Sequence, residues 1–270
     1  MRVIDAHIHY WRGRPNFENV ALEAGYGNSE DYFREVFKKE GIATAVVMSN
    51  VDMNTAELPD FLSYCTGIGQ NSLDPAQRER AIELVEENLR IEKCVGLKIY
   101  AGYTHLDIND PIYIPFYELA QKYSKPVAMH MGQSAHPRAL LRYSHPLLMD
   151  QVAVSFPEVQ FVMCHFGNPF LMDAAAVVEK NPNIFVDMSG LIAGKLDVEN
   201  YLRDLHGYVE QLKTWIHYVE NYEKFMFGTD FPLTVFDTYI ELFKHIIPEK
   251  HQEDFFYNNA MRVYKPPTKL

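Results

Sequence analysis

The polar side chains best suited to chemistry fall at a handful of places in this chain, near the ends of apolar runs. The first is His7-Ile8-His9 in DAHIH; the others are Lys98 in GLKIY, His130 in PVAMHMG, His165 in CHFG and Asp230 in FGTDFP. If these runs are β-strands, residues i and i+2 point the same way, so His7 and His9 can both reach one ion. The pair alone carries little information, since with 11 histidines in 270 residues about 0.4 such pairs arise by chance. Two core histidines satisfied by hydrogen bonds are an equally good reading. His130 and Asp230 shift the balance, because imidazole and carboxylate buried in apolar strands are costly unless paired or bound to metal. Imidazoles from the first, fifth and sixth runs, with a carboxylate from the eighth, resist separate structural explanations. Nitrogen and carboxylate donors in this number suit Zn²⁺, with Fe²⁺ or Mn²⁺ as alternatives, and leave a position for water. Asp5, two residues before His7, either orients a ligand or makes a plain hydrogen bond beneath the site.

The elements that must position these groups are legible as eight short runs rich in β-branched residues. They span 3–10, 44–50, 61–69, 95–102, 126–132, 160–167, 183–190 and 225–232, mostly bounded by Gly, Pro or Asn. Most gaps between them carry helical spacing. Ser29 ahead of Glu30 and Asp31 is an N-cap, and Gly41 ends that helix; Asp74-Pro75 opens another that runs to residue 90. The segments 110–124, 137–156, 169–180, 197–221 and 234–247 read likewise. Strand–helix alternation of this kind gives a parallel sheet covered by helices, and eight strands in 270 residues favour a closed (β/α)8 TIM barrel. Active-site groups of such a barrel sit at the C-terminal strand ends, where the polar residues fall. Between Asn50 and Phe61 there is room only for a degenerate second helix. The stretch 10–28, with Trp11, Arg12 and Arg14, reads as a long first βα loop of the kind that acts as a lid. Nothing divides the chain, so a single domain over 1–270 is expected.

A net charge of -11 with no basic stripe argues against nucleic-acid and anionic-membrane partners. No window approaches the roughly 18 apolar residues of a membrane span. The opening residues lack the charged and apolar regions of a secretory signal, so a cytoplasmic enzyme is expected. Cys65, Cys94 and Cys164 form no CxxC pair and read as buried thiols in a reducing compartment. His136, His145, His206, His217, His245 and His251 fall on helices or their flanks and read as surface or packing residues.

The DAHIH start, CHFG, NIFVDMSG, FGTDFP and the C-terminal YNNAMRVY together resemble the amidohydrolase superfamily. Within it they are most similar to the amidohydrolase-related (amidohydrolase 2) branch, which includes 2-amino-3-carboxymuconate-6-semialdehyde decarboxylase and related lactonases. The resemblance runs nearly end to end. It implies one Zn²⁺ ligated by His7, His9, His130 and Asp230, with His165 a catalytic residue beside the metal. Asn258-Asn259-Ala260 stands where members often have Gly-Asn-Ala, and the short second crossover is a larger departure.

Lys98 keeps three readings open: a substrate-binding or structural lysine, an ion pair away from the site, or, as in other branches of the superfamily, a carbamylated bridge to a second metal. The expected activity is hydrolysis of a small carbonyl substrate, a lactone or amide, by metal-activated water. Asp230 would move the proton, with His165 and Lys98 beside it. The alternative is non-oxidative decarboxylation of a small unsaturated or aromatic acid, which must anchor a carboxylate; Arg12, Arg14 and Arg138 are candidates. Tyr10, Trp11, Tyr100, Tyr103 and His105 are expected at the same face. A small-molecule substrate is expected, and a homodimer is plausible from the resemblance alone.

Overall fold

A computed structural model describes residues 1–10, 15–23, 25–27, 29–49, 58–194 and 196–268, without the side chains of 15–17, 23, 70 and 71. The strands are β1 Val3–Ile8, β2 Ile42–Met48, β3 Leu62–Ile68, β4 Cys94–Ile99, β5 Val127–His130, β6 Phe161–Cys164, β7 Ile184–Asp187 and β8 Phe225–Met226. All neighbouring pairs are parallel and lie in sequence order. β8 returns to β1 through a parallel bridge between Ile8 and Phe231, so the eight strands form a nearly closed (β/α)8 barrel.

The helices are α1 Pro15–Glu23, α2 Glu30–Glu40, α3 Arg78–Leu89, α4 Ala101–Thr104, α5 Ile114–Tyr123 and α6 Leu148–Ser155. They continue as α7 Leu171–Lys180, α8 Val198–Asp204, α9 His206–Tyr218, α10 Phe236–Ile246, α11 Glu249–Glu253 and α12 Asn259–Tyr264. α2 starts and stops as its sequence dictates. The Ser29 side chain accepts from Tyr32 N, and Gly41 closes the helix at φ 72°, a left-handed position that costs glycine nothing. None of the described helices is long and apolar enough to cross a membrane.

Four sequence expectations need correction. The first connection is not all loop, because α1 occupies part of it. Asp74 caps a turn through Ala76 N at 2.9 Å, and α3 begins only at Arg78. Of 137–156 only Leu148–Ser155 is α-helix, preceded by a 3₁₀ turn at Leu141–Tyr143. Pro146 disfavours helical backbone at His145, so the two turns cannot merge. The run 197–221 is two helices parted at Leu205. The short second crossover falls largely on residues 50–57, outside the described residues, as do Trp11, Arg12 and Arg14.

Most of the core lies between strands and helices, with Phe33, Tyr64, Phe116, Phe161 and Phe243 at most 1% exposed. A smaller cluster of Val46, Met48, Cys65, Ala128, Val162 and Met226 is joined by Tyr257, Val263 and Tyr264 of the C-terminal segment. Strand alternation carries Ala128 to His130, Val162 to Cys164 and Phe185 to Asp187, so this cluster underlies the polar residues. All three cysteines are free and buried.

β8 pairs over only two residues, and the chain beyond it is held by other means. Ala6 N donates to Phe227 O at 2.9 Å, Asp230 N to His7 O at 2.8 Å and His9 N to Phe231 O at 2.7 Å. Asp5, fully buried, ties this seam. Its Oδ1 accepts from His7 N and Thr229 N, and its Oδ2 from the Thr229 hydroxyl at 2.7 Å. Of the two readings of Asp5, the bond is thus to the backbone of His7 and not to its ring. Thr229→Val would leave a buried carboxylate oxygen without its donor, which costs about 1–3 kcal/mol. Urea unfolding should show that loss. An unchanged midpoint would mean that the seam does not depend on this bond.

Candidate metal centre

The barrel brings the C-terminal strand ends to one mouth, over a cleft of about 690 Å³ whose lining includes His9, His130, His165 and Asp230. His7 lies within β1, 1% exposed, and His9 follows the strand. The His9 ring offers Nδ1 to the Met48 carbonyl at 3.0 Å. A carbonyl only accepts, so Nδ1 carries the hydrogen and, in the neutral ring, Nε2 carries a lone pair. That Nε2 lies 3.1 Å from Asp230 Oδ1, and His7 Nε2 lies 3.4 Å from the same oxygen.

Two groups of three donors lie within 4.8 Å of one another among the described residues: His7, His9 and Asp230, and His7, His165 and Asp187. Their hydrogen bonding separates them. In the second group the Ser189 hydroxyl sits 3.1 Å from His7 Nδ1 and 3.0 Å from His165 Nδ1, and donates to Asp187. Those polar atoms satisfy one another. In the first group, His7 Nε2 and Asp230 Oδ1 are buried with no hydrogen-bond partner. Two such atoms facing each other are costly unless a cation lies between them, so a divalent ion fits the first group and not the second.

Asp230 is aimed by its backbone, at φ 63°, and by Gly190 opposite. A Cβ on Gly190 would lie 2.7 Å from Asp230 Oδ2 and 2.8 Å from His165 Nδ1, so glycine is required for the carboxylate and imidazole to approach. His165, also left-handed at φ 62°, places Nδ1 4.0 Å from Asp230 Oδ2 and 3.1 Å from the Ser189 carbonyl. Strained backbone at both residues is typical of functional positions.

His130 stands one imidazole further out. Its Nδ1 is 3.0 Å from His165 Nε2, and its Nε2 faces the Gln133 carbonyl at 3.1 Å. If His165 gives its Nδ1 hydrogen to Ser189 O, then His130 Nδ1 donates to His165 and His130 Nε2 keeps a lone pair against a carbonyl. His130 is thus in neither donor group as arranged, yet it holds an electron pair beside them.

Lys98 is fully buried on β4, with Nζ 2.8 Å from Cys164 Sγ and 5.0 Å from the Tyr100 ring centroid. It does not line the cleft. Tyr100 and Tyr103 do, packed edge to face at 5.8 Å, whereas Tyr10 does not. His105 Nε2 binds the Arg138 carbonyl, and Arg138 is exposed. Among the described residues lining the cleft there is no Lys or Arg.

Asp187 and Ser189 were missed as individual residues, although both lie in NIFVDMSG. Asp187 ends β7, so the rule that singled out His130 at the end of β5 covers it equally.

Burial, helped by the charge of Lys98, pushes His7 down to about 4, and burial also lowers His130 and His165. Burial would raise the carboxyl of Asp230, but His7, His9 and His165 outweigh it and hold it well below its usual range. His7, His130 and His165 are therefore neutral at neutral pH beside the ionised carboxylate of Asp230, the protonation state that a cation needs.

The family model for amidohydrolases matches residues 4–265, and this chain belongs to the amidohydrolase family, whose members are metal-dependent enzymes. Its fold is similar to that of an uncharacterized TIM-barrel protein from Bordetella bronchiseptica, with TM-score 0.72 and 19% identity over 98% of this chain and 99% of that one. It is also similar to an amidohydrolase from Burkholderia multivorans with bound zinc, at TM-score 0.70 and 17% identity over 99% and 100% of the two chains. A third is a dihydroxybenzoic acid decarboxylase from Polaromonas sp. JS666 with manganese and 2-nitroresorcinol, at TM-score 0.68 and 14% identity over 98% and 97%. No curated protein matches the sequence.

A depressed histidine pKa has a definite sign in stability. The unfolded chain takes up the His7 proton near pH 6.5, the folded chain only near 4, so stability falls as pH drops through that window. For the metal-free protein the loss from His7 is about 3 kcal/mol. An NMR titration of the His7 ring in the metal-free protein should show it neutral down to about pH 4; a midpoint near 6.5 would mean that His7 titrates normally.

Proposed function

We propose that this chain is a metal-dependent hydrolase of a small, uncharged carbonyl substrate, a lactone or an amide. His7, His9 and Asp230 hold one divalent ion, zinc in this reading, and His130 supplies a fourth donor. The observation that carries the metal site is the buried, unpartnered pair His7 Nε2 and Asp230 Oδ1. A divalent cation held there supplies the charge that polarises a carbonyl and acidifies water.

The protein's own part is to move protons and orient the substrate. Asp230 turns Oδ1 to the imidazoles of His7 and His9, leaving Oδ2 on the His165 side to accept a proton and return it to the leaving group. His165, held by Ser189 through Nδ1, keeps Nε2 as an acceptor that steadies a hydrogen of the attacking water once His130 turns its own ring to the ion. Tyr100, Tyr103, Leu191, Ile192 and Leu233 give the cleft apolar walls that exclude water. Lys98, buried against Cys164, serves here as a structural charge beside the site and not as a substrate anchor. Carbamylation, with a second metal, remains the alternative role for it.

A cleft without a described Lys or Arg favours a neutral substrate, since a decarboxylase must hold a carboxylate. The second reading is non-oxidative decarboxylation of an aromatic acid. Its support is the pair of tyrosine rings, which suits a planar ring, with Arg12 or Arg14 as the anchor. In either reading the substrate is a small molecule, with no nucleic-acid or membrane partner, and three buried free thiols suit the cytoplasm. A homodimer is compatible with both.

The test follows proton, amine and CO2 release by the zinc-loaded protein over lactones, amides and aromatic carboxylates. Proton release from a neutral lactone, or amine release from an amide, is expected; CO2 from an aromatic acid alone would replace the first reading with the second. His165→Ala should lower kcat by about 100-fold or more while metal content stays unchanged. Full turnover in that variant would remove His165 from the mechanism.

A further inference from the structure

Asp187 makes more contacts with the candidate metal centre than any role assigned so far requires. It is fully buried at the end of β7. Its Oδ1 accepts from His165 N at 3.1 Å, from Ser189 N at 3.3 Å and from the Ser189 hydroxyl. Its Oδ2 faces His7 Nδ1 at 3.0 Å. Every neighbour on Oδ1 is a donor, so the group presents itself as an acceptor at both oxygens, as an ionised carboxylate does. The nitrogen against Oδ2 must then be N–H. A neutral ring has one hydrogen, so His7 Nε2 is left with a bare lone pair, and Nε2 is the buried atom that points at Asp230 Oδ1.

His9 reaches the same tautomer by a different route, through the Met48 backbone carbonyl. A backbone carbonyl cannot be mutated away or ionised; the carboxylate on His7 can be altered. We infer that Asp187 is a positioning residue that sets the tautomer of His7 and, through its other oxygen, fixes the left-handed backbone of His165. One side chain thereby couples a cation-binding nitrogen to the neighbouring imidazole. This rests on the metal reading above, because a lone pair on Nε2 matters only if a cation takes it.

Asp187→Asn is a sharp probe because an amide cannot serve both sides. With its oxygen on His7, its NH2 meets the N–H groups of His165 and Ser189. With its NH2 on His7, the imidazole must give up the Nδ1 hydrogen and protonate Nε2, the atom needed for the ion. Ser189→Ala is the comparison, since it removes a neighbouring hydroxyl and keeps the bond between Oδ2 and Nδ1.

Zinc alone is the ligand to use, with affinity measured by competition against a chromophoric chelator. Asp187→Asn should bind it about 10–100-fold more weakly than the wild type, and Ser189→Ala should lose far less. Equal zinc affinity in Asp187→Asn and wild type would overturn the inference and leave the metal reading standing. No zinc binding by the wild type would instead sink the metal reading itself. Nitrogen-15 NMR of the histidines in the metal-free wild type decides the matter should the variant not fold. A hydrogen on His7 Nδ1 and none on Nε2 is expected, and the opposite tautomer would refute the role of Asp187.

Discussion

His7 Nε2 and Asp230 Oδ1 lie 3.4 Å apart, both buried and both without a hydrogen-bond partner. Neither side chain can swing away freely, because His7 is tied to Asp187 and Asp230 is tied through its own N–H to the His7 carbonyl. Electron pairs forced together in a low-dielectric interior are tolerable when positive charge sits between them. The rest of the structure can be understood as what keeps that confrontation in place. It depends on β1 meeting the end of β8, which is where the barrel closes.

Closure is made by few ladder bonds. β8 pairs over two residues, and a bridge at Ile8–Phe231 with three backbone bonds does the remainder. Asp5 and Thr229 reinforce this seam from within. The backbone is irregular here: Asp230 is left-handed, and its carboxylate faces His7 and His9. Gly190 on the neighbouring strand end leaves the space that the carboxylate and His165 occupy. Precision at the site is thus purchased by backbone geometry unlike that of the regular strands beneath.

The barrel was legible because its strands are short apolar runs with turn residues at their ends, and because period two carries polar residues to one rim. Five of the eight runs needed only trimming and two also shifted toward the N-terminus, to Ile42–Met48 and Cys94–Ile99; the eighth kept its place although its ladder shrank to Phe225–Met226. Helix starts were less legible. Asp74-Pro75 has the composition of a cap and instead makes a turn, since a capping oxygen satisfies either geometry. At the site, His7, His9 and Asp230 do converge, as their strand positions imply. The separation of His130 by one imidazole could not be read from sequence, because ring orientation is set by Gln133 and His165 together. Asp187 was hidden for another reason: acidic residues at strand ends are common, and only three-dimensional neighbours show that its oxygens face two histidines.

The most direct test of the central claim is metal content, measured by elemental analysis of purified wild type beside His9→Ala and Asp230→Ala. About one equivalent of a divalent cation in the wild type, lost in both variants while each remains folded, is the predicted result. A wild type that takes up no cation, or variants that keep a full equivalent, would contradict it.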